Sequence, residues 1–427
     1  MNLGVAFRSR RRSDRAPTFR SFASRNFRLF FTGQLISQVG NWLTTIATTL
    51  FVLHLTGSGI AIGVLTACQF APMLVFGLWA GVIIDRTDKR KLLLGTQVVA
   101  ALQSVALAVL AFSGDPQLVA IYAVAFIGGC VVAIDSTTRR AFVVELVDES
   151  LVTNAVSLNS ALMTSARVVG PVVAGALVAL FGYGWCFTID ALSYLGPMIA
   201  LSLMRPAEIR RPPVVARMKH QVRDGLRYVR TVPELWIPLA MTAVISTFTL
   251  NFQVVMPLLV TETFSSTEAV FTILFSVLSI GSFLGAIWMA RRISLHLAQT
   301  VFTAALLGIA TLALAVAPTL AVAFPIALVM GLGMTAFITS STANMQVAAD
   351  PGKRGRVLAL QGVVLLGSTP IGGPILGVVC QTWGARAGLL LGGVAALVAA
   401  GFGSWATSRR SVAHPVELEP TGLGPQT

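Results

Sequence analysis

Three ionisable side chains, Asp135, Arg167 and Asp190, fall inside long apolar stretches of a chain that is otherwise sparing with charge. A charge in hydrocarbon costs roughly 2.5 to 3.5 kcal/mol on insertion scales, so it is retained only where it does work. Two kinds of work suit these residues: a carboxyl that takes up and gives back a proton, or a polar tie between neighbouring helices. At a helical rise of about 1.5 Å per residue, Arg167 sits near the middle of its stretch, and Asp135 and Asp190 are displaced from it by roughly 12 Å toward opposite ends. In the first reading Asp135 or Asp190 exchanges a proton while Arg167 biases its affinity. In the second all three are static ties, and for Asp190 this second reading leads.

Uncharged polar residues form a weaker set. Gln34, Gln38 and Asn41 recur at i, i+4 and i+7, on one helical face that must look into a cavity or at another helix. Asn159, Asn251, Gln253, Asn344 and Gln361 are further candidates for a cavity wall, though for each taken singly an interhelical hydrogen bond is the leading reading. Trp42, Phe248, Phe252 and Phe337 are aromatics that would give such a cavity an apolar lining.

These side chains need helices that cross a membrane to hold them. The chain has 427 residues, 55% of them hydrophobic and 11% charged, where a soluble domain carries about 25% charged residues. Its mean hydropathy is +0.80. Runs long enough to span hydrocarbon, about 20 residues each, number twelve, and backbone polarity forces each to be helical. The net charge of +14 raises the question of nucleic acid, but no basic and aromatic patch exists to bind it. Of the 31 Lys and Arg, only Arg386 falls on the far side of the runs and only Arg167 within one. The excess is therefore a topology signal, with both termini in the cytoplasm of a cell-membrane protein, and a means of attracting anionic lipid of the inner leaflet.

The long connection at 205–235 divides the runs into two groups of six. The expected parts are a basic tail at 1–26, a bundle at 27–204, the connection, a second bundle at 236–407 and a tail at 408–427. Within the connection Met218, Val222, Leu226 and Val229 recur at helical spacing between Arg217, Lys219, Arg223, Arg227 and Arg230, as in a helix lying on a membrane surface. Gly170-Pro171 in the fifth run is echoed by Gly373-Pro374 in the eleventh, as internal repeats of transporters tend to be.

Other chemistries lack their residues. Cys68, Cys130, Cys186 and Cys380 lie far apart without a paired-cysteine motif, so neither a disulfide framework nor a metal site is expected. His54, His220, His296 and His414 are equally scattered, and no nucleotide-binding loop or nucleophile elbow occurs. The expectation is a protein with no cofactor and no enzymatic activity.

The stretch GVIIDRTDKRK at 81–91 resembles the signature loop between the second and third helices of the major facilitator superfamily. RVVGPVVAG at 167–175 is similar to the Gly-Pro motif that antiporters of that superfamily carry in the fifth helix. NFRLFFTGQLISQVGNW, RRAFVVELVDESLVTNAVSLN, DGLRYVRTVPEL and IDALSYL resemble its drug:proton antiporter-3 subgroup, which holds siderophore and macrolide exporters. The resemblance implies an all-α fold of twelve transmembrane helices in two pseudo-symmetric six-helix bundles. It implies a gate built from Gly81, Asp85, Arg86 and Arg90, with Asp85 near Gly355 and Arg356, and close packing through Gly170, Pro171 and Gly175. The departures are Asp88 where a second glycine is usual, Val144 for proline, and no Asp after the eighth run. The function so implied is proton-coupled export of an amphipathic small molecule by a monomer. A facilitator or importer of a nutrient, and a receptor or scaffold that transports nothing, are the alternatives.

Overall fold

The computed structural model describes residues 17–210, 221–292, 296–350 and 353–413, and the side chains of all of these but 17–18, 76–86, 221–225 and 409–413. Among them there are no strands. The first half comprises α1 (Arg25–Thr56), α2 (Gly59–Arg86), α3 (Lys89–Phe112), α4 (Leu118–Glu145), α5 (Val152–Ser193) and α6 (Leu195–Ser202). A short α7 (Gln221–Thr231) leads to the second half. That half comprises α8 (Pro233–Phe248), α9 (Phe252–Leu258), α10 (Glu268–Ala290), α11 (Leu297–Ala315), α12 (Leu320–Ala348), α13 (Arg354–Gly367), α14 (Thr369–Trp383) and α15 (Ala385–Ala413).

Local chemistry sets the helix ends. Ser24 and Ser58 cap α1 and α2 by accepting from Phe27 N and Ala61 N, satisfying amides that no helical carbonyl reaches. α5 runs for 42 residues, about 63 Å if straight, roughly twice the hydrocarbon thickness. It turns back instead at Gly182, whose φ of 79° and ψ of 175° belong to a region open essentially to glycine alone. Among the described residues of the long connection, a single 3-10 turn covers Pro206–Glu208 and an α-helix begins at Gln221. Arg217, Met218 and Lys219 lie outside the described residues, as do the side chains of Val222 and Arg223. Of the expected apolar face, Val229 is buried and Leu226 is exposed.

Nine helical stretches among the described residues have the length and apolarity to cross a membrane, one of them the 54-residue stretch that reverses at Gly182. α1 and α2, at 32 and 28 residues, have the length as well. The basic segments at the starts of α1 and α3 and the ends of α4 and α6 gather at one end of the bundle, here the basic end. The turns at Gly57, Gly114, Gly182 and Gly384 gather at the other, the far end.

The apolar core is forked. Toward the far end one continuous cluster joins both halves, from Leu50, Ile62 and Phe187 to Phe271, Leu307 and Leu376. Toward the basic end each half keeps its own: Phe27, Phe30, Leu93 and Phe142 in the first, and Val229, Leu235, Met345 and Val357 in the second.

Candidate functional site

Two seams join the halves, and glycine decides how close each comes. Along α2 and α14, a Cβ on Gly63 would lie 2.7 Å from Gly373 O and 3.0 Å from Pro374 Cα, while Gly377 faces the backbone of Gly59. Gly59 N donates to Gln381 Oε1 at 2.7 Å on the same seam. Along α5 and α10, Gly175 lies so close to Thr272 that no Cβ fits. Gly170 instead packs on Trp42, within the first half, and Pro171 is buried beside it inside α5. The two Gly-Pro pairs thus sit on the pair of helices that meet the opposite half.

Two turns from Gly175 toward the basic end, the Arg167 guanidinium lies 5.7 Å from the centre of the Trp42 ring. Its Nη2 is 4.0 Å from Met334 Sδ of the second half. Among the described residues it pairs with no carboxylate, and its buried Nε has no hydrogen-bond partner. Trp42 also approaches Phe275 across the halves, ring centres 6.1 Å apart. A cation, an aromatic face and a thioether therefore meet at mid-depth, between the halves.

Neither acid joins Arg167. Asp190 is fully buried and accepts from Thr44 Oγ1 at 2.5 Å, Ser104 Oγ at 2.6 Å and Ser193 Oγ at 3.3 Å. Its seat lies between α1, α3 and α5, opened by Gly40, where a Cβ would collide with Asp190 and Ser193. Asp135 pairs with Arg139 one turn along α4 and accepts from Thr96 Oγ1 at 2.9 Å and Gln97 Nε2 at 2.8 Å. Arg139 has no role in the sequence reading, which assigns it to the basic loop beyond the fourth run. The i, i+4 spacing to Asp135 was the available signal.

In the loop at 81–91, Gly81, Asp85 and Arg86 close α2, and their side chains lie outside the described residues. Arg90 donates to Leu201 O at 2.6 Å and Ser202 O at 2.9 Å, capping carbonyls at the C-terminal end of α6 where a cation is favourable. Asp88, the departure from the superfamily pattern, caps α3 by accepting from Arg90 N and Lys91 N. Next to it Lys89 Nζ meets Glu145 Oε1 at 2.5 Å.

The polar stripe on α1 turns inward. Gln38 Nε2 donates to Gln34 Oε1 at 3.1 Å, and Asn41 accepts from Tyr194 Oη at 3.0 Å. Asn159 is half-buried on α5. Asn251 stands at the break between α8 and α9, donating to Ser246 O and Thr247 O, with its Oδ1 buried and unpartnered. Asn344 Nδ2 donates to Thr300 Oγ1 at 2.5 Å, and Gln361 Nε2 to Thr342 Oγ1 at 2.9 Å. Phe252 and Phe337 are core side chains. The three ionisable residues that fall inside apolar runs all belong to the first half, yet α10 of the second half begins at Glu268, which reaches back to Tyr183. The residue lies at a span boundary, where hydropathy does not assign it to helix or loop.

Residues 16–414 match the Transmembrane secretion effector family. The chain belongs to this family of major facilitator transporters. It is 24% identical over 355 residues to the staphyloferrin A transporter of Staphylococcus aureus, covering 79% of this chain and 87% of that one. To macrolide efflux protein A of Streptococcus pyogenes it is 22% identical over 352 residues, covering 81% and 87%. Its fold matches the crystal structure of a bacterial homologue of the human lysosomal transporter Spinster, inward-facing and occupied, with a TM-score of 0.72 at 14% identity, over 92% of this chain and 98% of that one. Membership carries the all-helical fold of the superfamily.

Proposed function

We propose that the protein exports an amphipathic small molecule, of the drug, macrolide or siderophore kind, from the cytoplasm in exchange for protons, by rocking of two six-helix halves as a monomer in the cell membrane. The observation that carries this reading is the forked core: the halves share apolar packing at the far end and part toward the basic end. A core parted in this way suits a path that opens toward the basic end, with Arg167, Trp42 and Met334 at its head. A charged group beside an aromatic face suits a ligand with a polar head and an apolar body. The name of the macrolide efflux relative supports the export direction. The basic excess supports a cytoplasmic basic end. α7 leaves Leu226, Arg227 and Arg230 exposed, which suits contact with anionic headgroups.

In this scheme Asp135 or Asp190 carries the exchanged proton, and Gly81, Asp85, Arg86 and Arg90 close the basic end. The test is a substrate panel in proteoliposomes with an imposed pH gradient, comparing the unaltered protein with Asp135→Asn and Asp190→Asn. Gradient-driven flux should appear for at least one amphipathic substrate and fall about tenfold or more in the variant that removes the coupling carboxyl. Equal fluxes with and without the gradient overturn proton exchange. Asp85→Asn should lower the flux while melting in detergent is unchanged; an undiminished rate overturns its place in the gate.

A further inference from the structure

At the far end an ionisable group ties the halves together. Glu268, the first residue of α10, accepts a hydrogen bond from Tyr183 Oη at 2.5 Å through Oε2. Its Oε1 lies 3.8 Å from His54 Nδ1. Tyr183 and His54 belong to the first half and Glu268 to the second, so this contact must break before the far end can open. The three residues border a cavity of about 410 Å³ whose wall is otherwise mostly apolar, including Leu50, Val178 and Ala179. Glu268 keeps 26% of its side chain exposed, enough to meet water entering from that side. Both partners stand on tight turns. Tyr183 follows the reversal at Gly182, and Ser265, three residues before Glu268, has a φ of 46°, a left-handed conformation that strains a residue bearing a Cβ.

We propose that Glu268 is a proton-binding site whose occupancy controls the far-end closure. It rests on the proton-exchange reading for its place in the transport cycle. As a carboxylate, Glu268 makes a charge-assisted bond with the Tyr183 phenol, about twice as strong as a neutral one. A proton arriving from far-side water binds a carboxyl oxygen, cancels the charge and leaves a neutral contact; the same proton departs when the gate closes again. One O–H bond forms on the carboxyl and one breaks in hydronium, which leaves as water; no other reactant takes part. The titratable groups at or beside the site are His54 from α1, Tyr183 with Cys186 behind it on α5, and Glu262 on the neighbouring turn at Leu259–Thr263. α9 and α12 bring none. His54 is mostly exposed, so its long pair with Glu268 contributes little.

The experiment measures far-end opening without substrate. Full-length protein with its four native cysteines replaced carries spin labels at Leu55→Cys and Val316→Cys in lipid nanodiscs, and distances are read in steps from pH 8 down to pH 4. A second pair, Leu203→Cys and Val347→Cys, reports on the basic end. Acidification should raise the far-end-open fraction, by about fivefold once the carboxyl is fully protonated. Glu268→Gln should hold that fraction high at every pH, and His54→Gln should leave the response in place. A Glu268→Gln protein that responds to pH like the parent, or a parent that does not respond, overturns the proposal. If Glu268→Gln fails to reconstitute, Tyr183→Phe removes the same tie, and an unchanged open fraction at pH 8 overturns it instead. Because no substrate is needed, a Glu268-dependent response in a protein that exports nothing from the panel would sink the export reading alone.

Discussion

Asp135 and Arg139 show what makes charge tolerable this deep in a helical bundle: each is buried, each has the other, and Thr96 and Gln97 take up one of the remaining carboxylate positions. Breaking such a pair costs more than removing it whole, because the survivor is left charged and unpartnered. Arg139→Gln should therefore cost about 3 kcal/mol or more of stability. The joint change Asp135→Leu with Arg139→Leu should cost less, with thermal melting in detergent as the measurement; a joint change worse than Arg139→Gln would contradict this account. Asp135, Arg167 and Asp190 were legible in the sequence because a charge in an apolar run stands out by its cost. Their partners were not. Thr44 and Ser104 come to Asp190 from segments 146 and 86 residues away, and nothing local in the chain announces a hydroxyl that will turn inward. Glu268 escaped for the opposite reason, since one carboxylate at the mouth of an apolar run looks like an ordinary loop charge.

Helices as elements were legible from apolar length, but their interruptions were not. α8 ends and α9 begins where the Asn251 side chain takes the carbonyls of Ser246 and Thr247. α13 gives way to α14 at Ser368, whose hydroxyl is 2.5 Å from that of Ser246. Hydropathy sees one run in each case, because the break is made by polar side chains too few to lower the average. The repeated Gly-Pro pairs were legible as motifs, and the structure adds which neighbour each serves: Gly170 packs on Trp42 within the first half, and Gly373 meets the backbone at Gly63 across the halves. Gly63→Val should push α2 away from α14, since the atoms in its way are backbone and cannot rotate aside. The expected outcome is a longer distance between the far-end spin labels, with the basic-end pair shortened. Gly95→Ala, where a Cβ meets nothing within 4 Å, should change neither distance, and equal responses from the two variants would refute the role of the seam.

On the scale of the whole molecule, family membership and the forked core describe two solid halves that meet along two glycine-lined seams. The sequence carried the fold class, through span length and the one-sided placement of Lys and Arg, but gave no sign of which end would be closed. That is decided by contacts between residues hundreds of positions apart, Gly59 with Gln381 among them. The forked core has a thermodynamic consequence. If swinging the halves parts the far-end cluster while joining the basic-end clusters, apolar surface is exchanged between two ends and little of it is gained or lost. Heat capacity follows the net apolar area exposed, so the two access states should differ little in it, and warming alone should be a poor lever on which side is open. Binding of a proton or a substrate, which acts on one end at a time, is then the means left to bias the rocking.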